Sequence, residues 1–439
     1  MNQNSKTTSV KKDGKTTLMP KLRFPEFRDA EGWESKSMSE VYAFKGHNSL
    51  SRDKLNYERG SVKNIHYGDI HTKFSTHFDI AKETVPYINQ SESLKAFEAE
   101  NFCVEGDIIF ADASEDLEDI GKAIEIVSLN GERVLSGLHT ILARQTETDL
   151  VRGFGGHLFK SKRVRTLIQK ESQGSKVLGL SGGRLAKIEI PFPSSPREQQ
   201  KIAECLSSVD EVIAAEARKL DALKSHKKGL MQELFPREGE TQPRLRFPEF
   251  QDAPEWGEKK LSSMVQLVSG THLSPDQYGK EKGVPYFTGP SDFTNDIQSI
   301  TKRTNESSGI AKENDTLITV KGSGVGTIWY LTLFSIAMGR QLMAIRATDG
   351  VSRFVYQFLL TKKSRFGDLA SGNLIPGLSR GDILDLDAPI TSTPEQQRVA
   401  DCLTSLDNLI SAQAQKLEAL KTHKKGLMQQ LFPSPEEEV

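Results

Sequence analysis

The sequence predicts an α+β protein in which two mixed domains alternate with two copies of one long helix, as a pseudo-two-fold internal repeat. Three observations favour this fold class. Residues 198–236 return as residues 395–433, with 26 identical positions out of 39 and no gap. The segment PKLRFPEF at 20–27 returns as PRLRFPEF at 243–250. The stretches in between contain short β-branched and aromatic runs separated by glycine-rich turns, which is typical of sheets.

The two long repeats predict a pair of helices. Each opens on a capping-box pattern, Ser195-Pro-Arg-Glu198 in the first copy and Ser392-Thr-Pro-Glu395 in the second. Apolar residues then follow at a spacing of about 3.5 residues. Polar residues interrupt this spacing at the same places in both copies: Glu216 and Lys227, then Gln413 and Lys424. We therefore expect two coiled-coil-like helices of about 40 residues, each about 60 Å long, that pack antiparallel.

Identity between the helical copies extends to residues that we expect on their outer faces. Identical exposed faces favour a surface that binds the same kind of partner twice. The simpler alternatives are a helix pair that only closes a core, or a recent duplication. The candidate partner-binding residues are Gln199, Gln200, Lys219, His226, Lys228 and Gln232, with their copies Gln396, Gln397, Lys416, His423, Lys425 and Gln429.

Composition restricts the classes of function. The chain has 58 basic and 59 acidic residues and a net charge of −1, so any nucleic-acid contact must be local or shared with a basic partner. Three cysteines do not make a disulfide framework. The sequence contains no apolar run long enough to span a membrane and no secretory pattern, so we expect a soluble cytoplasmic protein.

These landmarks predict five regions. They are a disordered leader (1–18), a first mixed domain (19–190), a first helical spacer with its linker (191–242), a second mixed domain (243–387), and a second helical spacer with an acidic tail (388–439). The two mixed domains differ in sequence, but short segments correspond: 64–70 with 287–293, 106–110 with 314–318, and 174–181 with 372–379.

The chain resembles the specificity subunit of type I restriction–modification enzymes over nearly its whole length. The resemblance rests on the order of the repeats, the Glu-Gln-Gln entry to each long helix, and the Gly-Leu-Ser segment before it. It implies two target-recognition domains, each reading one half of a bipartite, asymmetric site in double-stranded DNA. It implies also that the helices fix the gap between the half-sites and bind two modification (methyltransferase) subunits, and that restriction (endonuclease and translocase) subunits join in defence against foreign DNA. S-adenosylmethionine, ATP and Mg²⁺ would then be cofactors of the partners, and this chain would need none.

Residues that read bases or position phosphates are expected on loops beside a rigid sheet. For any one such residue, an ordinary solvated loop position is the simpler interpretation. In the first domain the candidates are His66, Tyr67, Asp69, His71, Lys73, Lys122, His139, Lys176 and Arg184. In the second domain they are Thr288, Ser291, Asp292, Lys321, Ser323, Thr327, Arg340, Gln341, Asn373 and Arg380.

Catalytic and metal motifs are missing from the sequence. The glycine-rich segment 322–326 lacks the Lys-Ser/Thr of a phosphate-binding loop, and the histidines at 66, 71 and 77 fit no zinc spacing. We therefore expect no catalytic residue and no metal ligand. Two alternatives remain open: an autonomous nuclease that uses the acidic loop at 112–119, and a scaffold whose domains bind proteins.

Overall fold

The computed structural model describes residues 10–12, 15–95, 97–306, 309–322, 324–371 and 377–434. The chain divides into two compact units. The first unit contains residues 1–216 and 416–439, and the second contains residues 217–415. Each long helix therefore begins in one unit and ends in the other.

The first unit combines short strands with small helices, the beginning of one long helix and the end of the other. Its strands are Val10–Lys12 (β1), Lys15–Thr17 (β2), Glu34–Ser37 (β3), Tyr42–Lys45 (β4), Leu55–Asn56 (β5), Lys63–Ile65 (β6), His77–Asp79 (β7), Tyr87–Ile88 (β8), Ile108–Ala111 (β9), Ala113–Ser114 (β10), Ala123–Ser128 (β11), Val134–Ser136 (β12), Thr140–Gln145 (β13), Leu178–Gly179 (β14) and Glu189–Phe192 (β15). Its helices are Met38–Val41 (α1), Tyr67–Thr72 (α2), Phe154–Lys160 (α3), Lys162–Glu171 (α4), Gly182–Leu185 (α5) and the start of Pro196–Leu234 (α6).

The second unit contains fewer strands and helices. Its strands are Gly257–Lys260 (β16), Val265–Ser269 (β17), Tyr278–Gly279 (β18), Val284–Phe287 (β19), Arg303–Thr304 (β20), Ile310–Lys312 (β21), Thr316–Thr319 (β22), Ile328–Tyr330 (β23), Ser335–Met338 (β24), Leu342–Ala347 (β25) and Asp387–Ile390 (β26). Its helices are Ser352–Thr361 (α7), Lys363–Ser371 (α8), Arg380–Leu384 (α9) and the start of Thr393–Leu431 (α10).

The two units share a topology despite their unlike sequences. The main sheet of the first unit has the order β4-β13-β9-β11-β7, and that of the second has the order β17-β25-β22-β23. In each unit a parallel pair lies beside it, β6 with β12 and β19 with β24. The same ion pair braces both sheets, Arg144 to Asp107 and Arg346 to Asp315. These matches confirm two domains of one architecture.

The long helices pack antiparallel within each unit, as the sequence predicts. In the first unit, Lys424 of α10 lies 2.5 Å from Asp210 of α6. In the second unit, the equivalent pair Lys227 and Asp407 is separated by 2.6 Å. The lysines that interrupt the apolar spacing therefore place their ammonium groups against a carboxylate of the facing helix, which compensates the cost of burying a charge.

The end of each long helix closes the core of a unit. Phe432, which follows α10, packs against Trp33 with ring centroids 5.8 Å apart. Phe235, which follows α6, packs against Phe354 at 5.2 Å and lies near Trp256 at 6.4 Å. Part of the identity between the helical copies is therefore explained by packing inside each unit.

Two predictions, one about the leader and one about the start of α6, are wrong. Val10–Lys12 and Lys15–Thr17 pair as antiparallel strands, although the leader was expected to be disordered; residues 1–9 lie outside the described part. Glu198 does not act as a capping-box residue, because both of its carboxylate oxygens accept hydrogen bonds from the Arg23 guanidinium.

No helix in the described residues is long and apolar enough to cross a membrane.

Candidate nucleic-acid interface and helical docking faces

In the first unit, three separate segments bring most of the predicted DNA-binding side chains together. The segments are α2, the loop that follows β9, and the tight turn between β12 and β13. The ring of Tyr67 on α2 lies edge-on to His71 at 5.8 Å and to His139 of the turn at 5.3 Å. His139 lies 3.1 Å from Asp112 of the loop. The fold and ring packing thus form one polar and aromatic cluster at the end of the sheet, which we call the α2 cluster: Tyr67, His71, Asp112, Lys122 and His139.

Two predicted members of this surface have structural roles instead. The side chain of Asp69 is fully buried and accepts from Arg52 at 2.9 Å, with Lys73 at 3.0 Å. The His66 side chain is the N-cap of α2 and accepts from the Gly68 amide. The prediction that Asp69 and His66 bind DNA is wrong. Both residues are buried, the Asp69 carboxylate is paired with Arg52, and the His66 Nδ1 atom accepts from the Gly68 amide.

Burial also determines the charge of the histidines. Desolvation lowers the pKa of His66 to about 4, with a further contribution from Arg52. Desolvation likewise lowers the pKa of His71, against the opposing influence of Asp119. Both rings are therefore neutral at pH 7 and do not serve as cations for phosphate.

The basic candidates differ in their availability. Lys73 is exposed, and Lys122 is half-exposed with its ammonium 2.5 Å from Asp119. Lys176 is exposed in the turn before β14, which pairs with β10 directly after Asp112. Arg184 donates to the Glu171 carbonyl at 2.9 Å, and Glu171 is not part of the α2 cluster. Lys73, Lys122 and Lys176 thus remain the candidates for phosphate contact.

The second unit forms the corresponding surface with different side chains. The turn after β19 is fixed internally, because Asp292 accepts from the Thr288 amide at 2.7 Å and from Lys302 at 3.1 Å. Burial opposes ionisation of Asp292, but hydrogen bonds from Thr288 and Lys302 outweigh it and lower the pKa. Thr288 and Asp292 therefore shape the turn and leave exposed Ser291 at its tip.

Exposed Gln341 follows Arg340 in the turn between β24 and β25. A Cβ atom placed on Gly289 would lie 3.0 Å from Oε1 of Gln341. The Gln341 side chain therefore lies directly over the turn after β19. Arg340 and Lys321 are also exposed, whereas Thr327 is half-buried. Arg380 is exposed, but its guanidinium donates to the Ser269 hydroxyl and the Leu267 carbonyl. Ser323 and Asn373 lie outside the described residues.

The helices carry most of the predicted docking residues on their outer faces, with one exception in each copy. Gln199 and Gln396 are buried, and their amides bind backbone groups: Gln199 accepts from the Val151 amide at 2.8 Å and Gln396 from the Val351 amide at 3.0 Å. The prediction that these two residues bind a partner is wrong. The other ten are exposed: Gln200, Lys219, His226, Lys228, Gln232, Gln397, Lys416, His423, Lys425 and Gln429.

One exposed apolar pair on the long helices was not predicted from the sequence. Val212 on α6 is 44% exposed, and Leu409 on α10 is 54% exposed. They occupy equivalent positions of the two copies. Large apolar side chains repeated at one exposed helical position are the kind of feature that a helical partner covers. Each lies one position before a residue of the apolar spacing, Ile213 or Ile410, so an apolar residue outside that spacing in both copies is the sequence signal for the pair.

The acidic loop at 112–119 does not gather its carboxylates into one site. Asp112 binds the His139 ring, and Asp119 lies 2.5 Å from Lys122. The Asp116 carboxylate accepts from the Glu118 amide at 2.9 Å. Within the described residues, no group of three or more His, Cys, Asp or Glu side chains is arranged to hold a metal ion.

Comparison with known proteins identifies the family. The model of the type I restriction modification DNA specificity domain matches residues 30–225 and again residues 254–422. A putative type I restriction enzyme MjaX specificity subunit of Methanocaldococcus jannaschii is 26% identical over 417 residues, which cover 92% of this chain and 93% of that protein. The MjaVIII specificity subunit of the same organism is 24% identical over 306 residues, covering 63% of this chain and 69% of that protein.

Two solved structures share the fold. The S subunit of a type-I restriction-modification system from M. genitalium matches with a TM-score of 0.62 at 16% identity, covering 95% of this chain and all of that one. A chain from a study of complex assembly and conformational transition of the type I R-M system matches with a TM-score of 0.55 at 18% identity, covering 92% and 98%. Since the family model matches most of the sequence in two copies, the chain belongs to the family of type I restriction–modification DNA specificity subunits.

Proposed function

We propose that each unit reads one half of a bipartite DNA site and that the two halves differ in sequence. The observation that carries the proposal is one topology with unlike side chains at equivalent places. The turn between β12 and β13 presents His139, and the equivalent turn between β24 and β25 presents Gln341. The segment after β6 presents Tyr67, and that after β19 presents Ser291. Different donors and acceptors on one scaffold select different bases.

Stable DNA binding requires the partner subunits. The chain has a net charge of −1, so the long-range attraction to phosphate is weak. Exposed lysines near the proposed reading surfaces, such as Lys73 and Lys321, supply only local phosphate contacts. Methyl transfer and cleavage, with their S-adenosylmethionine, ATP and Mg²⁺, belong to the partners in this proposal. We place the complex in the cytoplasm.

The outer faces of α6 and α10 are the proposed docking sites for two modification subunits. Val212 and Leu409 provide one apolar anchor for each copy, and the exposed identical polar residues provide the surrounding contacts. Because the anchors are equivalent, the same partner surface fits both.

A stoichiometry experiment tests the docking faces. Val212→Glu and Leu409→Glu are each expected to leave one bound modification subunit in native mass spectrometry, and the double variant none. Ala214→Glu changes another exposed position about 200° around α6 and serves as the control that retains two. If the double variant also retains two subunits, the docking assignment is wrong.

DNA binding separates this function from its alternatives. The complex with modification subunits is expected to bind a bipartite duplex with an affinity that falls steeply as salt rises. A protein-binding scaffold would show no such binding. A nuclease would cleave DNA with the purified chain and Mg²⁺ alone, in a manner abolished by Asp112 and Asp116 substitutions.

A further inference from the structure

The side chain of His139 is held outward by a rigid turn. His139 has a left-handed backbone conformation with φ of 58°, which is uncommon for residues other than glycine. Thr140 donates to the Gly137 carbonyl at 2.6 Å and fixes the turn. A Cβ at Gly137 would lie 2.4 Å from the Ile65 carbonyl oxygen, so glycine is required there. The His139 side chain remains 49% exposed.

Asp112 orients the His139 ring from behind. Its Oδ1 lies 3.1 Å from Nδ1 of His139, and its backbone amide donates to the His139 carbonyl at 3.1 Å. The Leu180 amide in turn donates to the Asp112 carbonyl at 2.8 Å. Tyr67 lies edge-on to the imidazole and restricts its rotation. The ring is thus held by one side-chain bond and by packing.

This arrangement selects one tautomer. An ionised carboxylate offers acceptors alone, so Nδ1 of His139 must carry the proton that bonds to Asp112. When the ring carries this proton alone, Nε2 is an acceptor. Among the described residues no hydrogen bond to this Nε2 atom is found. A lone pair is therefore available to a molecule bound at the surface.

A free acceptor at Nε2 of His139 can bond to hydrogen-bond donors on the bases but not to the phosphate oxygens. Phosphate oxygens are acceptors and have no proton to give to Nε2. The donors on the base edges in the major groove are the exocyclic amino groups, N6 of adenine and N4 of cytosine. Guanine and thymine present acceptors at the corresponding places.

We propose that His139 is a specificity-determining residue whose Nε2 accepts a hydrogen bond from the amino group of one adenine or cytosine in the first half-site. Asp112 is the positioning residue that fixes the tautomer. The inference rests on the proposed DNA-reading function of the first unit. It adds the chemical class of the base and the atom that reads it.

The experiment measures methyl transfer by the reconstituted complex with its modification subunits. The substrates are duplexes in which each position of each half-site carries each of the four base pairs in turn. For the wild type, one position of the first half-site is expected to favour adenine or cytosine by about five- to ten-fold through this bond. His139→Ala and Asp112→Asn are expected to lose that preference at the same single position.

A base analogue isolates the hydrogen bond. Replacing the favoured adenine by purine, or cytosine by 2-pyrimidinone, removes only the amino group. The wild type is expected to lose about five- to ten-fold in rate, whereas His139→Ala should show no further loss on the analogue. Gln341→Ala in the second unit is the matched control, because it should leave every preference of the first half-site intact. Circular dichroism checks that each variant is folded.

Two failures are distinguishable. If His139→Ala lowers the rate uniformly at all positions, or leaves all preferences unchanged, the assignment of His139 is overturned while the reading function stands. If the wild-type complex shows no base preference in the half-site assigned to the first unit, the proposed function itself fails.

Discussion

A buried ion pair that ties the start of α6 to the LRFPEF segment gives the sharpest test of the fold. Glu198 accepts from the Arg23 guanidinium through both oxygens, at 2.7 and 2.6 Å. Side-chain exposure is 7% for Arg23 and 1% for Glu198. Arg23 also donates to the carbonyls of Ala30 and Glu31. Replacing Glu198 by Gln leaves the guanidinium buried without a counter-charge.

The expected cost follows from this geometry. Breaking a buried pair from one side typically costs about 3–5 kcal/mol, because the remaining charge is uncompensated. Removing both charges in Arg23→Met/Glu198→Met should cost less than Glu198→Gln alone. Glu26→Gln, which changes an exposed carboxylate 3.7 Å from Lys201, should stay within about 1 kcal/mol.

Urea unfolding can be followed with one fluorescent reporter for the first unit. In a Trp256→Phe/Trp329→Phe background, Trp33 is the remaining tryptophan, and it is fully buried beside Glu198. The midpoint should fall clearly for Glu198→Gln and little for Glu26→Gln. Equal effects of the two substitutions would refute the reasoning, as would a double variant less stable than the single one.

Three further outcomes follow from the structure. Burial lowers the pKa of His157 to about 2 and also lowers the pKa of His77, so these two histidines make the folded first unit less stable as the pH falls below about 6.5. Burial raises the pKa of Glu125 to about 7, and this carboxyl group therefore stabilises the folded unit over the same pH range. Glu125→Gln should thus steepen the loss of stability between pH 6.5 and 5 in urea titrations monitored by Trp33 fluorescence. Phe432→Ala should destabilise the first unit by about 3–5 kcal/mol in the same titration while leaving hydrogen exchange in the core of the second unit unchanged; a uniform change in exchange would contradict this expectation. Insertion of one helical turn after Ala214 in α6, with its match in α10, should lengthen the gap between methylated half-sites without altering either sequence, and an unchanged gap in methylome sequencing would show that the helices do not set the spacing.

The repeated parts of the fold were predictable because residues that the fold requires appear at the same positions in both copies. Polar interruptions at Lys227 and Lys424 recur because each lysine meets an aspartate of the facing helix, and the antiparallel arrangement follows from that symmetry. The identity at Gln199 wrongly predicted a contact with a partner. Retention of a residue in both copies indicates a shared environment but does not say whether that environment is a partner or the protein's own backbone.

The surface that we propose reads DNA was only partly predictable. Loop composition predicted Tyr67, His71 and His139 as candidates, and the fold brings their rings together from distant parts of the chain. Sequence cannot show which polar side chains the fold uses for itself. Asp69 has the residue type of a base reader, but its buried carboxylate is paired with Arg52 and Lys73. Whether a polar side chain is exposed or buried in an ion pair depends on contacts between segments that are far apart in sequence.

An exchange of the first recognition domain tests the central claim most directly. Residues 35–190 would be replaced by the equivalent segment of another specificity subunit, and the methylated sites would be read by sequencing the methylome of cells that carry the complete system. We expect one half of the bipartite sequence to change and the other half to remain. A change in both halves, or in neither, would contradict the account of two independent readers on one helical frame.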